Sequence, residues 1–233
     1  MKQLYMCGKN SVIEAFENKL AIEKIYLSKK ENLKYFNNAK FPVLVKDNNF
    51  LNNLTKENHQ GFVAICKNVD IYDLNYLIKN KPEVILMLDH IQDPHNLGAI
   101  IRTANAAGIN HIILPKDKAA DINSTVLKIS SGGMVNTKIT KVSSLSASIT
   151  KLKKEGYWVY ATTLDQNAIA HNEVRYNKPT IIVMGSEGEG VSKSVLSVCD
   201  QTVYIKQFGT VQSLNVSVAT GIILFDYINK NND

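Results

Sequence analysis

"EVILMLDHIQDPHNLGAIIRTANAAG", residues 83–108, joins two patterns of different period. Val84 to Leu88 is an unbroken apolar run, the signature of a strand covered on both faces inside a parallel sheet. From residue 96 the pattern is helical and stops at Gly108, a residue suited to the left-handed end of a helix. The alternation continues downstream. Strands are expected at 111–115, near 137–140, and at 157–163, 180–185 and 202–205, with helices near 122–131, 143–156, 192–199 and 213–230. Strands separated by helices argue for an α/β fold with a doubly wound parallel sheet from 83 to the end.

Upstream the chain is a smaller α/β unit. "GKNSVIEAFEN" (8–18) reads as a helix that Ser11 is able to cap, strands are expected at 24–28, 41–46 and 61–67, and "NNFLNNLTKEN" as a polar helix. Residues 67–82 look like a connector carrying one short amphipathic helix. The expected division is therefore a small domain over 1–70, a linker over 71–82 and a larger domain over 83–233.

Composition is that of a globular protein, 45% hydrophobic and 21% charged, with no apolar run long enough to span a bilayer and no apolar signal core at the start. A cytoplasmic location is expected. Cys7, Cys66 and Cys199 are odd in number and widely spaced, so they read as reduced thiols and not as a metal or redox pair. The net charge of +6 favours a polyanion such as RNA. Arg occurs only at 102 and 175, so in this Lys-rich chain Arg102 stands out: Lys lacks its planar fork of donors.

Three stretches carry chemistry. In "DHIQDPHNLGAIIRTANAAG", Pro94 holds Asp93 extended, and Asn96 reads first as a helix cap. The stretch also lies at the carboxyl end of a buried strand, where open parallel sheets bind ligands. Arg102 follows on that helix, with apolar neighbours that argue against full exposure. "MGSEGEG" (184–190) is G-x-x-G-x-G, neither a dinucleotide fingerprint nor a P-loop, and Glu187 and Glu189 inside it would repel phosphate. A ligand with a positive centre suits it better. In "SLNVSVATG" (213–221), Ser213, Asn215 and Ser217 cluster at a helix start, with Ser213 as the cap. The five histidines show no ligand spacing, and no metal is expected.

Together, in this order, these stretches resemble the SpoU (TrmH-like) branch of the SPOUT methyltransferases. The N-terminal "GKNSVIEAFE" and "NHQGFVA" resemble the L30e-like RNA-binding domain of the RlmB-type members, which methylate a guanosine of 23S rRNA. The resemblance spans the whole chain. It implies a trefoil knot in the C-terminal domain, S-adenosylmethionine as methyl donor, an RNA ribose 2′-hydroxyl as acceptor, and a homodimer. It assigns catalysis to Arg102 with Asn96, Glu187, Ser213 and Asn215, and donor binding to Thr162, Gly185, Ile205 and Leu214. RNA contacts fall to Arg102, His59 and Gln60, although a turn before a strand accounts for His59-Gln60-Gly61 equally well. One departure is visible: the family usually reads Ile-Pro-Met where this chain has Ile205-Lys206-Gln207. The rival readings are a tRNA 2′-O-methyltransferase, an RNA-binding protein without catalysis, and a nicotinamide dehydrogenase, the last lacking the fingerprint glycines.

Overall fold

The computed structural model describes residues 3–130 and 132–231. The N-terminal unit begins with β1 (Leu4–Cys7), α1 (Lys9–Glu17) and β2 (Ile22–Leu27). A 3₁₀ segment, Lys30–Phe36, leads to β3 (Val43–Val45), α2 (Asn48–Leu54) and β4 (Phe62–Cys66). The sheet order is β1-β4-β2-β3; the wholly buried β4 runs antiparallel to β1 and β2, and β2 is parallel to β3. Ser11 does not cap α1. Gly8 holds the cap position with φ 101, a conformation that a serine would resist, and no side chain bonds there.

Residues 71–82 carry the one short helix expected there and, in addition, a strand. They form β5 (Ile71–Tyr72) and α3 (Leu74–Asn80), and β5 pairs in parallel with β8 (Lys138–Val142) at the edge of the larger sheet. The remaining strands are β6 (Val84–Asp89), β7 (His111–Pro115), β9 (Trp158–Thr162), β10 (Ile169–Ala170), β11 (Thr180–Gly185) and β12 (Gln201–Tyr204). The helices are α4 (Pro94–Ala106), α5 (Ser124–Ser130), α6 (Leu145–Lys154), α7 (Lys193–Leu196) and α8 (Val216–Asn231). The eight strands are ordered β10-β12-β9-β11-β6-β7-β8-β5, and every pairing is parallel.

The apolar run of β6 has the cause expected for it. Leu86 and Leu88 face one core with α4, α5 and α8, whereas Ile85 and Met87 face a second with α3, α6 and α7. The chain runs outward from β6 through β7 to β8, then returns to build the other half of the sheet from β9. It lays β11 beside β6, in a register that ends on Gly185 opposite Asp89, and adds β12 afterwards on the far side of β9. That reversal of strand order opens a crevice at the carboxyl ends, where such sheets place their ligands. Among the described residues, no helix is long and apolar enough to cross a membrane.

Helix α4 is clamped between α5 and α8. Gly98 sits against α5 so closely that a Cβ would lie 2.8 Å from Ile129 Cβ and 3.1 Å from the Val126 carbonyl. Gly98→Leu is expected to cost about 1–3 kcal/mol by overpacking, read as a lower urea midpoint with unchanged slope.

Candidate active site

A cavity of about 430 Å³ lies at the carboxyl ends of β9, β11 and β12. Its floor and one wall are the glycine loop after β11. Ser186 and Gly190 exchange backbone bonds, 3.1 and 3.0 Å, which close the loop into a tight hairpin. Gly188 and Gly190 hold positive φ, 89° and 69°, where a side chain would strain the backbone. Gly185 is required for a related reason: its Cβ would fall 2.1 Å from the Gly190 carbonyl carbon. Its lack of a side chain lets the loop fold back on itself.

Thr162, Gly185, Ile205 and Leu214, singled out from sequence, all line this cavity. Thr162 Oγ1 donates to the Val183 carbonyl at 3.2 Å, tying β9 to β11. Glu187 and Glu189 are in the wall, and no Lys or Arg is among the lining residues. The electrostatics therefore favour a cationic ligand over a phosphate.

Beside the cavity, the three motifs meet. Glu187 Oε1 accepts from Asn96 Nδ2 at 3.2 Å, from the Val216 N–H at 3.2 Å and, closely, from Asn215 Nδ2. Asn215 also donates to Asn96 Oδ1 at 2.9 Å. Two capping assignments change. Asp93, held extended before Pro94, caps α4 by accepting from His95 N at 2.9 Å, so Asn96 lies in the first turn with its side chain free for Glu187. At α8 the cap is Asn215, whose Oδ1 accepts from Ser217 N at 2.9 Å, and Ser213 is instead an exposed part of the cavity wall. The positive end of α8 is thus occupied by the chain's own Glu187.

Arg102 is exposed, contrary to the expectation from its apolar neighbours. Those neighbours turn to the core, because Ile100, Ile101 and Ala104 occupy the buried side of α4. None of the ion pairs among the described residues involves Arg102. Its backbone is packed against the turn after α5, where a Cβ on Gly133 would lie 2.8 Å from Arg102 Cα. His59 is buried: Nδ1 accepts from Gly61 N at 2.9 Å and Nε2 lies 3.0 Å from Asn52 Oδ1. Both ring nitrogens are used inside the turn, as its turn reading requires, which leaves the exposed Gln60 as the group open to solvent there.

The thiols take no part in this chemistry. Burial pushes Cys66 and Cys199 up to about 12 and raises Cys7 as well, so none is a thiolate near neutral pH. Sequence reasoning passed over two residues. Asp89, fully buried at the end of β6, accepts from Ser192 N at 2.7 Å and bonds His90, fixing the segment after the glycine loop. Its signal was a charge ending an apolar strand. Gln207 lines the cavity, and its side-chain oxygen is buried without a partner among the described residues.

Fold and site together are those of a parallel-sheet α/β protein with an acidic pocket at the carboxyl ends of its strands and an appended N-terminal unit. The chain belongs to the SpoU rRNA Methylase family, whose model matches residues 83–225. Residues 5–72 match the RNA 2′-O ribose methyltransferase substrate binding model. The chain is 38% identical over 181 residues, 76% of its length and 72% of the relative's, to the 23S rRNA (guanosine-2′-O-)-methyltransferase RlmB of Coxiella burnetii. A TrmH family tRNA/rRNA methyltransferase of Staphylococcus haemolyticus is 32% identical over 99% of this chain and 97% of its own. The AdoMet-bound rRNA methyltransferase of Sinorhizobium meliloti superposes with a TM-score of 0.77 over 98% of this chain and 88% of its own at 24% identity, which shows the shared fold.

Glu187→Ala leaves Asn96, Asn215 and the Val216 N–H without their common acceptor. It is expected to destabilise the chain by about 1 kcal/mol in urea titration, the scale of a lost helix cap.

Proposed function

We propose that this protein transfers a methyl group from S-adenosylmethionine to a ribose 2′-hydroxyl of RNA, a guanosine of 23S rRNA being the target. The observation that carries this reading is the meeting of Asn96, Glu187 and Asn215, from three distant motifs, beside a cavity that is acidic and free of basic residues. S-adenosylmethionine fits such a wall: it is cationic at sulfur and carries no phosphate. Thr162, Gly185, Ile205 and Leu214 would hold it, Ile205 and Leu214 supplying apolar surface. When bound, it supplies an electrophilic methyl group.

The chain's own residues must then position a hydroxyl in line, stabilise it as it becomes an alkoxide, and let its proton leave. Arg102 is the central group. A guanidinium holds its proton too tightly to be a good base, but it is a strong bidentate clamp. Its fork grips the phosphate beside the target ribose and the forming alkoxide, and the proton passes to phosphate or water. Asn96, Glu187, Ser213 and Asn215 orient the ribose and the mouth of the cavity.

The N-terminal unit docks the RNA. Gln60 is exposed there, and Lys9 and Lys34 lie over the Tyr35 ring at 5.0 and 5.4 Å, a basic-aromatic surface suited to a polyanion. A second copy of the chain completes the enzyme: Val218 and Phe225, 53% and 43% exposed, stand seven residues apart on one face of α8 and form an apolar stripe for a homodimer. A trefoil knot in the C-terminal domain belongs to the same reading. A ribosomal substrate places the enzyme in the cytoplasm.

Arg102→Lys keeps the charge and loses the fork. Single-turnover methyl transfer is expected to fall roughly 10²-fold, with donor affinity and stability unchanged; wild-type transfer by the variant would remove Arg102 from the mechanism. RNA affinity should fall steeply between about 50 and 200 mM salt, because binding releases counterions from phosphate and that release is worth less as salt rises, as a gel-shift titration would read.

A further inference from the structure

A cleft of about 280 Å³ lies between the small unit and the larger sheet, and it shares no lining residue with the acidic cavity. The small unit contributes Lys19, in the turn between α1 and β2, and Lys67, which follows β4 and whose N–H donates to the Ala21 carbonyl at 2.8 Å. The larger unit contributes Lys138, the first residue of β8, and residues 134–137 of the turn before it. The lining is apolar where it is buried, at Leu127 and Met134, and basic where Lys19 and Lys67 are exposed. Asp70 is the single carboxylate in it. None of the ion pairs among the described residues involves Lys19, Lys67 or Lys138. Like charges gathered on a cleft with apolar walls focus a positive potential, and the complement of that potential is an anion.

The place of the cleft decides which anion. Its wall at 134–137 belongs to the turn that supports α4. Gly133 rests on the Arg102 backbone, and Asn105, three residues beyond Arg102 on the same side of the helix, donates to the Val135 carbonyl at 3.0 Å. Thr137 Oγ1 donates to the Gly133 carbonyl at 2.6 Å and closes the turn. One side of this turn therefore lines the cleft, and the other carries the helix of the exposed arginine. An anion in the cleft and a phosphate at Arg102 stand on either side of a single turn. A chain of phosphates occupies both positions at once, whereas a small anion occupies one.

We propose that this cleft holds the sugar–phosphate backbone of the RNA on one flank of the target nucleotide, with Lys19, Lys67 and Lys138 meeting its phosphates. The proposal rests on the RNA-methylation reading and extends it: RNA contact is not confined to the small unit but runs through its junction with the larger one. The turn over 132–137 then sets the spacing between the flank and the target ribose.

The test is steady-state methylation of unmodified 23S rRNA by the full chain in which Lys19, Lys67 and Lys138 are all replaced by alanine. A control replaces Lys151, Lys154 and Lys193 by alanine; these exposed lysines stand on α6 and α7, in the opposite helical layer, and their loss removes the same charge. The cleft variant should raise KM for RNA about tenfold or more and lower the slope of log KM against log salt by about two, the loss expected for three phosphate contacts. Its rate at saturating RNA and its affinity for S-adenosylhomocysteine should match wild type, since the cleft touches neither the donor nor the reacting oxygen. The control should change KM less than about threefold, as distant charges are screened. Replacing the three cleft lysines by arginine keeps the charge and should keep KM near wild type, and thermal midpoints close to wild type separate a lost contact from misfolding. A cleft variant with wild-type KM and salt slope, or one weakened no more than the control, would overturn the proposal and leave the methyl-transfer reading intact. Failure of wild type to methylate RNA would overturn that reading and the proposal with it.

Discussion

The Oε1 oxygen of Glu187 accepts from Asn96, from Asn215 and from the backbone N–H of Val216, so three segments distant in the chain meet on one atom. The arrangement has a simple physical origin. The first turn of α8 presents backbone N–H groups with no partner inside the helix and a partial positive charge, and a carboxylate answers both. Bringing a carboxylate there requires a turn too tight for ordinary residues. Gly185 permits it by letting the Gly190 backbone approach where a Cβ would be, and Ser186 and Gly190 lock it. Once the loop is closed, α4 and α8 are joined through their first turns, and the cavity between β9, β11 and β12 has its wall. An acidic glycine loop thus serves the protein's own helix on one side and a cationic ligand on the other.

The parts of this architecture that are readable in the sequence are those governed by burial. Val84 to Leu88 announces a strand between two helical layers because each face must meet a core, and both cores are present. Gly108 ends α4 with φ 73, as its lack of a side chain suggests. Short edge elements escape such reasoning. β5 and β10 have two residues each, too few for a period, and they exist because a neighbouring strand offers its free edge. Caps are misplaced for a related reason. Asp93, Asn96, Ser213 and Asn215 are all competent capping residues, and composition does not choose among them. Pro94 decides in favour of Asp93, and the demand of Glu187 turns Asn96 and Asn215 toward each other. The exposure of Arg102 was misjudged because neighbours in sequence point to different sides of a helix.

The N-terminal unit is continuous with the catalytic half. Its core and that of α4, α5 and α8 form one apolar cluster. Ser124 Oγ of α5 donates to Glu57 at 3.0 Å, and Gly132 is so close to the N-terminal unit that a Cβ would fall 2.7 Å from the Asn18 amide nitrogen. The next residue, Gly133, rests on the backbone of Arg102. A unit matched by a substrate-binding family model, a turn of two glycines and the exposed arginine are therefore packed in series. The geometry sets how far an RNA held on the small domain lies from the mouth of the cavity, through contacts that leave no space for side chains.

The central claim is that this cavity delivers a methyl group to ribose oxygen and not to a base. The most direct measurement is to incubate the purified full chain with isotopically labelled S-adenosylmethionine and unmodified 23S rRNA, digest the RNA to nucleosides, and identify the labelled product by mass spectrometry. The account predicts label in 2′-O-methylguanosine, with the added mass on the ribose fragment. Label on a base fragment, or no transfer to RNA from a preparation that binds the donor, would contradict it.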